Sequence, residues 1–231
     1  MNGEQPHIFF RLTTQLFALL LGVLFIWLWL PELSRPRIER LPTDRFSAAA
    51  AETRRSAAAF AASIGVIRGD LWAESAFTYS DLLWDDPGPG TDLAQALRQA
   101  HVSLENALKL APHQSGAWLL LAALTSRYPS QGFNAKEALR MSYYTGPSEW
   151  DFMPLRLGVM AHLDVSGDVE LQQFASRDVR LLIARKQTSA IAEAYRDAPP
   201  AGKHFIEQIV ADIDPSIVPL LRSAAQERIV N

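Results

Sequence analysis

The longest hydrophobic stretch in the chain is an uncharged run from Leu12 to Pro31. A helix needs about 20 apolar residues to cross the hydrocarbon core of a bilayer, and this run has that length. Tryptophan prefers membrane interfaces, and Trp27 and Trp29 lie near the carboxyl end of the run. The pattern predicts one transmembrane helix, with residues 1–31 as an amino-terminal tail and membrane anchor. The predicted anchor side chains include Phe17, Leu20, Leu24, Phe25, Trp27 and Trp29.

Two other interpretations of this run are a cleaved signal peptide and a buried helix of a soluble protein. The apolar core of a signal peptide has about 7–15 residues and precedes a small-x-small cleavage site. The residues after Trp29 offer no such site. A buried soluble helix is the weaker alternative, because every face of the run is apolar after Gln15. The pattern therefore favours a retained, single-pass anchor.

The charges around the run give conflicting signals about orientation. Arg35, Arg37 and Arg40 follow it, and under the positive-inside rule they favour a cytoplasmic body. Short amino-terminal tails usually stay inside, however, and long domains translocate largely regardless of charge. We expect an inner (plasma) membrane protein and prefer an extracytoplasmic body, while a cytoplasmic one stays open.

Beyond the anchor, the apolar positions recur at helical spacing. Proline and charge in residues 32–43 predict a Pro/Arg-rich linker, and a helical domain follows over 44–231. No alternating run of strand-forming residues interrupts it, which predicts an all-α fold. The predicted helices span 44–66, 70–84, 92–111, 115–127, 134–144, 152–164, 168–186, 188–197, 201–213 and 215–228, with breaks at turn and capping residues.

Small and large residues recur at fixed spacing in the middle of this domain. One helix pair carries Trp118, Leu121, Ala122 and Thr125, then Ala135, Leu139, Ser142 and Pro147. An upstream pair carries Trp72, Ser75, Ala76 and Tyr79, then Ala100, Leu104, Ala107 and Pro112. A weaker downstream match has Pro154, Leu157, Gly158 and Ala161. Small residues such as Ala76, Ala107, Ala122 and Gly158 would let the helices of a pair approach closely.

This spacing resembles the tetratricopeptide repeat (TPR), a helical hairpin of about 34 residues. The resemblance covers residues 69–165 and implies an α-solenoid of stacked TPR-like hairpins, with residues 166–231 as capping helices. It departs from the family pattern at Thr125, which replaces an aromatic residue, and in the long loop at 85–90. Ordinary helix pairs with similar apolar periodicity are the alternative.

Composition and charge narrow the functional classes. The formal net charge is −3, and no basic field favours nucleic acid. The chain has no cysteine, which excludes thiolate metal sites and cysteine nucleophiles. His162 and Asp164 lack a third ligand at metal spacing, and His101 with Glu105 forms a plain polar pair on a helix. We therefore expect no catalytic site, no metal and no cofactor.

If the chain is a repeat protein, its binding surface is the inner groove lined by the first helix of each hairpin. Members of the repeat family hold peptide segments there, which implies a protein partner. The alternatives are that these side chains are internal, or that a helix of a partner or of this chain covers them. The residues that the resemblance assigns to partner binding are Phe77, Asp81, Leu119, Arg127, Phe152, Leu155 and His162.

These features predict a membrane-anchored adaptor that mediates protein–protein interaction in the cell envelope. The chain as a whole also resembles small anchored bacterial proteins linked with polysaccharide assembly or export. Two other classes stay open: an accessory subunit that stabilises a larger membrane complex, and a helical enzyme whose ionisable groups converge from distant helices.

Overall fold

The computed structural model describes residues 5–84, 92–129 and 132–226. Within these ranges the chain forms helices and no strand, which confirms the all-α prediction. The α-helices are α1 (Gln5–Ser34), α2 (Arg45–Glu52), α3 (Arg55–Ile64), α4 (Gly69–Phe77), α5 (Leu93–Leu110), α6 (Ser115–Arg127), α7 (Ala135–Thr145), α8 (Met153–His162), α9 (Val169–Ala184), α10 (Thr188–Asp197), α11 (Pro200–Ile213) and α12 (Val218–Gln226). Short 3-10 helices lie at Ser80–Leu83, Trp150–Phe152 and Pro215–Ile217.

Helix α1 contains the predicted anchor. Its segment Phe10–Ser34 is long and apolar enough to span a membrane. An exposed apolar surface of this size marks a site of membrane or protein contact. The exposed side chains include all six of the predicted anchor residues, which are Phe17, Leu20, Leu24, Phe25, Trp27 and Trp29.

The single helix predicted over 44–66 is wrong, because the chain forms α2 and α3 with a break at Thr53 and Arg54. Asp44 caps α2 by accepting a hydrogen bond from the backbone N–H of Ser47. The two helices have different neighbours: α2 packs against the 3-10 helix Ser80–Leu83, and α3 packs against α1 and α4. The break lets the alanine-rich residues 45–64 pack against the 3-10 helix at one end and against α1 and α4 at the other.

The helix predicted over 70–84 also ends early, since α4 stops at Phe77 and a 3-10 helix follows. Hydroxyl side chains explain the change, because they compete for the backbone groups that continue a helix. The Thr78 hydroxyl donates to the Ser75 carbonyl at 2.7 Å. The tighter turn buries Leu82 and leaves its carbonyl to accept from the Tyr128 hydroxyl at 3.3 Å.

Neighbouring helices pack as pairs in the middle of the chain. The contacts of α4 with α5 and of α6 with α7 are the most extensive among the described elements. Ala76, Ala107 and Ala122 are fully buried, as expected of small residues at close helix approaches. Helix α8 does not belong to a single pair, because it contacts α9, α10 and α11.

Gly158 does not have the packing role that its spacing predicts. A Cβ atom built there would meet no atom within 4 Å. The close approach of α8 instead lies at Ala161, where a Cβ on Gly202 of α11 would fall 2.0 Å from the Ala161 carbonyl oxygen. The repeat spacing predicts the wrong residue for the close approach, because α8 packs against the distant helix α11 as well as against its sequence neighbour α9.

Candidate functional site

Three elements that the repeat pattern places on the inner groove converge at one point. Phe77 ends α4, Gly116 lies in the first turn of α6, and Phe152 immediately precedes α8. A Cβ atom on Gly116 would lie 3.2 Å from the Cζ atom of either ring, so the missing side chain allows this contact. We call the surface formed by Phe77, Gly116 and Phe152 the inner face.

The extended residues 35–43 of the chain itself cover the inner face. Leu41 packs onto this face: the Leu41 Cβ atom lies 3.3 Å from the position that a Cβ atom on Gly116 would take. Ile38 and Leu41 are 8% and 3% exposed, which makes both of them part of the main core. The predicted linker (32–43) is therefore not a free tether: residues 32–34 belong to α1, and the following segment packs on the body through Ile38 and Leu41.

Polar contacts hold the extended segment in place. Arg40 Nη1 lies 3.1 Å from Asp151 Oδ2, and Arg54 Nη1 donates to the Pro36 carbonyl at 3.0 Å. Arg37 has a left-handed backbone with φ of 55°, which costs a residue with a side chain about 1–2 kcal/mol. The contacts on both sides of Arg37 offset this strain.

An ion cluster joins the end of α1 to α4. Arg35 Nε donates to Glu74 Oε1 at 2.6 Å, and Glu74 is only 3% exposed. Arg35 also pairs with Asp70 at 3.4 Å, while Arg68 pairs with both Glu32 and Asp70. The hydrogen bond to Glu74 raises the pKa of the Arg35 guanidinium above its usual value. The apolar helix is thereby fixed to the body.

Among the residues predicted to bind a partner, Phe77, Leu119 and Phe152 lie in the core. Leu155 is half-buried against that core. Phe77 and Phe152 are only 2% and 3% exposed, so a partner reaches them only if residues 35–43 move aside. For this buried group, partner binding stays a prediction.

The three remaining predicted residues lie nearer the surface. Asp81 Oδ1 accepts from Arg55 Nη2 at 2.7 Å, which ties the turn after α4 to α3. Arg127 is exposed at the end of α6 and donates to the Leu83 carbonyl at 2.7 Å. His162 is exposed at the end of α8, with Nδ1 2.9 Å from the Gly158 carbonyl oxygen. Their role in binding a partner stays a prediction.

An open groove of about 700 Å³ lies between α3 and α5. Trp72 and Tyr79 line it together with the cationic side chains of Arg55 and Arg98. The Arg55 guanidinium lies 4.3 Å from the centroid of the Tyr79 ring, where a cation–π contact is favourable. This groove combines aromatic and positively charged surface.

A buried charged network connects α7, α8 and α9. Arg156 is fully buried and donates to the carbonyls of Ser142 and Gly146, at 2.6 and 2.9 Å. The Tyr143 hydroxyl donates to Asp178 Oδ2 at 2.8 Å. Burial raises the pKa of Asp178, and burial together with the Asp178 charge raises the pKa of Tyr143 well above its usual value. Arg156 satisfies carbonyls at the carboxyl end of α7, which indicates a structural role.

Within the described ranges, no group of three or more His, Asp or Glu side chains is placed to hold a metal ion. The Asp164 carboxylate accepts from the Ser166 hydroxyl at 2.6 Å, and its pKa is lowered by that hydrogen bond. His101 stacks on Phe133 with ring centroids 5.1 Å apart, and burial lowers the pKa of its imidazole. The side chains singled out for metal or acid–base chemistry therefore have structural contacts.

Sequence reasoning missed the contacts that residues 35–43 make. Ile38 and Leu41 are apolar residues in an otherwise charged, proline-rich segment. Their presence was the one feature of the sequence that could have indicated burial of this segment. Nothing in the sequence indicates that Arg35 pairs with Glu74, because the two residues are distant in the chain and each residue type is common on protein surfaces.

Comparison with protein-family models, with curated proteins and with solved structures finds no match to this chain.

Proposed function

We propose that the chain is a membrane-anchored scaffold of TPR-like helical hairpins that binds protein partners in the cell envelope. The observation that carries this proposal is the ion cluster around Arg35 and Glu74. It fixes a helix of membrane-spanning length to a body of paired helices. A scaffold needs such a joint, because it holds its partner at a defined position relative to the bilayer.

The anchoring is supported by the exposed apolar surface of α1, on which Phe25 and Trp29 lie with ring centroids 5.8 Å apart. Such a surface is stable in lipid and costly in water. We place the protein in the inner (plasma) membrane as a single-pass protein, with the body on the extracytoplasmic side. Positive charge after α1 favours the opposite side, so orientation has its own test below.

The likeness to TPR hairpins is supported by the pairing of α4 with α5 and of α6 with α7. Buried alanines lie at the predicted small positions, as Ala76 and Ala122 illustrate. Stacked hairpins bury a continuous core and leave a long surface for an extended ligand. Helices α9 to α12 would then serve as the carboxyl-terminal cap.

The inner face supports a role in holding peptide segments. It already accommodates extended backbone with apolar side chains, because Ile38 and Leu41 pack there. We expect a partner to contact the exposed predicted positions at the carboxyl ends of α6 and α8, Arg127 and His162. The overall resemblance to anchored proteins of polysaccharide assembly or export makes proteins of such systems the first partners to examine.

A non-enzymatic role is part of the proposal. Catalysis needs positioned acids, bases or nucleophiles within hydrogen-bond reach of one another in a pocket. The buried Tyr143–Asp178 pair lies beside Arg156, which binds the end of α7, and the pair does not line the groove between α3 and α5. The chemistry supported best is therefore recognition of another protein.

The test is purification of the full-length, tagged chain from membranes at native expression. We expect the chain to resist alkaline carbonate extraction, and a defined protein to co-purify in constant ratio. The control is the same chain lacking residues 1–31, which should be lost from the membrane fraction. Release of the full-length chain by carbonate contradicts the anchor, and absence of a stoichiometric partner contradicts the scaffold.

A carboxyl-terminal alkaline phosphatase fusion tests orientation separately. This enzyme becomes active only outside the cytoplasm, where its disulfides form. An active fusion is expected for an extracytoplasmic body. A stable but inactive fusion places the body in the cytoplasm, and leaves the anchor and the scaffold intact.

A further inference from the structure

Helix α3 and the turn after it expose an apolar surface beside α1. Phe60 is 52% exposed, Val66 is 58% exposed and Ile67 is 69% exposed. Large apolar residues that lie together on a surface mark contact with a partner or a membrane. We call Phe60, Ser63, Val66 and Ile67 the α3 face.

The α3 face lies next to the carboxyl-terminal end of α1. Helix α3 packs directly against α1. Pro31 is buried, and over Phe10–Ser34 the least exposed large apolar residues are Trp27 and Leu30, at 41% and 40%. These exposures place the contact with α3 at the end of the apolar run.

Contacts made by the turn after α3, which holds Val66 and Ile67, set the position of this turn along the axis of α1. Arg68 pairs with Glu32, the first charged residue after the apolar run. The Trp72 indole nitrogen donates to the Val66 carbonyl at 3.4 Å, which holds the turn against α4. Val66 and Ile67 therefore lie close to the position where α1 would leave the hydrocarbon.

The α3 face carries no charge that contact with lipid would desolvate. The exposed residues from 56 to 67 are serine, alanine, phenylalanine, valine and isoleucine. The charged residues that flank this stretch are paired, Arg55 with Asp81 and Arg68 with Asp70. Burying an unpaired charge in lipid is expensive, whereas burying this surface is favourable.

We propose that the α3 face inserts into the interfacial region of the bilayer leaflet where α1 ends. The proposal rests on the membrane anchoring proposed above. The lipid surface is the occupant because α3 packs on α1, and Arg68, the residue after Ile67, pairs with Glu32 at the end of the apolar run. The body then lies directly on the membrane, held by a second apolar contact in addition to the anchor.

The test uses full-length protein in vesicles of phosphatidylcholine and phosphatidylglycerol, with one spin label at a time. The chain has no cysteine, so Ile67→Cys and Phe60→Cys each give a unique attachment site. Collision with oxygen, which concentrates in lipid, is compared with collision with a water-soluble nickel chelate. Val169→Cys on α9 is the matched aqueous control, because Val169 is 66% exposed and Ile67 is 69% exposed. Leu24→Cys in α1 is the control for membrane depth.

We expect labels at Ile67 and Phe60 to favour oxygen over the chelate several-fold, as the label at Leu24 does, while Val169 favours the chelate. If Leu24 reports lipid and Ile67 behaves like Val169, the inference is wrong and the anchor stands. A label at Ile67 shielded from both reagents also overturns it, because a second copy or another protein then covers the α3 face. If Leu24 itself reports water, the anchoring fails, and this inference fails with it.

Discussion

Arg35 at the end of the apolar helix donates to the buried carboxylate of Glu74 on α4, with Nε and Oε1 2.6 Å apart. A flexible tether would leave the body free to reorient above the membrane. This contact instead makes α1 and α4 parts of one unit. The orientation of the inner face relative to the bilayer then depends on a few identifiable interactions.

The first prediction concerns this ion pair. Arg35→Met leaves the Glu74 carboxylate buried without its closest partner, and should lower the free energy of unfolding by about 3 kcal/mol. Arg40→Met is the control, because the Arg40 side chain is 78% exposed and its pair with Asp151 should contribute less than about 1 kcal/mol. Urea unfolding of the full chain in detergent micelles, followed by circular dichroism, measures both. Equal, small losses would show that the cluster does not join α1 to the body.

The second prediction concerns the extended segment. Leu41→Ala should destabilise the protein by about 2–5 kcal/mol, because it opens a cavity in the core at the buried Leu41 side chain, near Gly116. Leu220→Ala removes the same atoms from a side chain that is 61% exposed, and should change stability by no more than about 0.5 kcal/mol. The same unfolding experiment compares the two. A Leu41 variant as stable as the Leu220 variant would mean that the segment is a spacer.

The third prediction uses two adjacent tyrosines. Tyr143→Phe removes the hydroxyl that donates to buried Asp178, and should cost about 1–3 kcal/mol. Tyr144 donates to Glu170 but is 54% exposed, so Tyr144→Phe should stay within about 0.5 kcal/mol. Thermal unfolding of both variants tests this difference. Similar melting temperatures would contradict a structural role for the buried network.

The fourth prediction separates two glycines with different surroundings. Gly202→Ala should cost about 1–3 kcal/mol, because its methyl group would overlap the Ala161 carbonyl and push α11 away from α8. Gly158→Ala fills open space inside α8, and should stabilise the protein by about 0.5–1 kcal/mol. Opposite changes in the midpoint of urea unfolding are expected. Changes of the same sign would contradict the close approach of α8 and α11.

Local signals in the sequence predicted much of the helical fold. The bounds of α6, Ser115–Arg127, coincide with the predicted helix, because its apolar run lies between turn-forming residues. The N-cap of α2 at Asp44 is likewise a local feature, since an N-cap depends on residues close in sequence. The breaks after Glu52 and Phe77 were missed because each one depends on which distant element the following residues contact.

The candidate site was less accessible to sequence reasoning. Repeat spacing selected Phe77 and Phe152, and the structure brings both rings to Gly116, while their role in binding a partner stays a prediction. The spacing gave no information on what covers the inner face, because an extended segment such as residues 35–43 has no periodicity. Its burial depends on tertiary contacts of Ile38 and Leu41 with residues far along the chain.

Site-specific photocrosslinking in intact membranes tests the scaffold role most directly. A photoreactive amino acid replaces Arg127 or His162, the exposed residues predicted to contact a partner, or the control residue Lys109 on the exposed side of α5. The scaffold account predicts one discrete protein adduct from Arg127 and from His162, and none from Lys109. Absence of a protein adduct at both test positions, or the same adduct at Lys109, would contradict it.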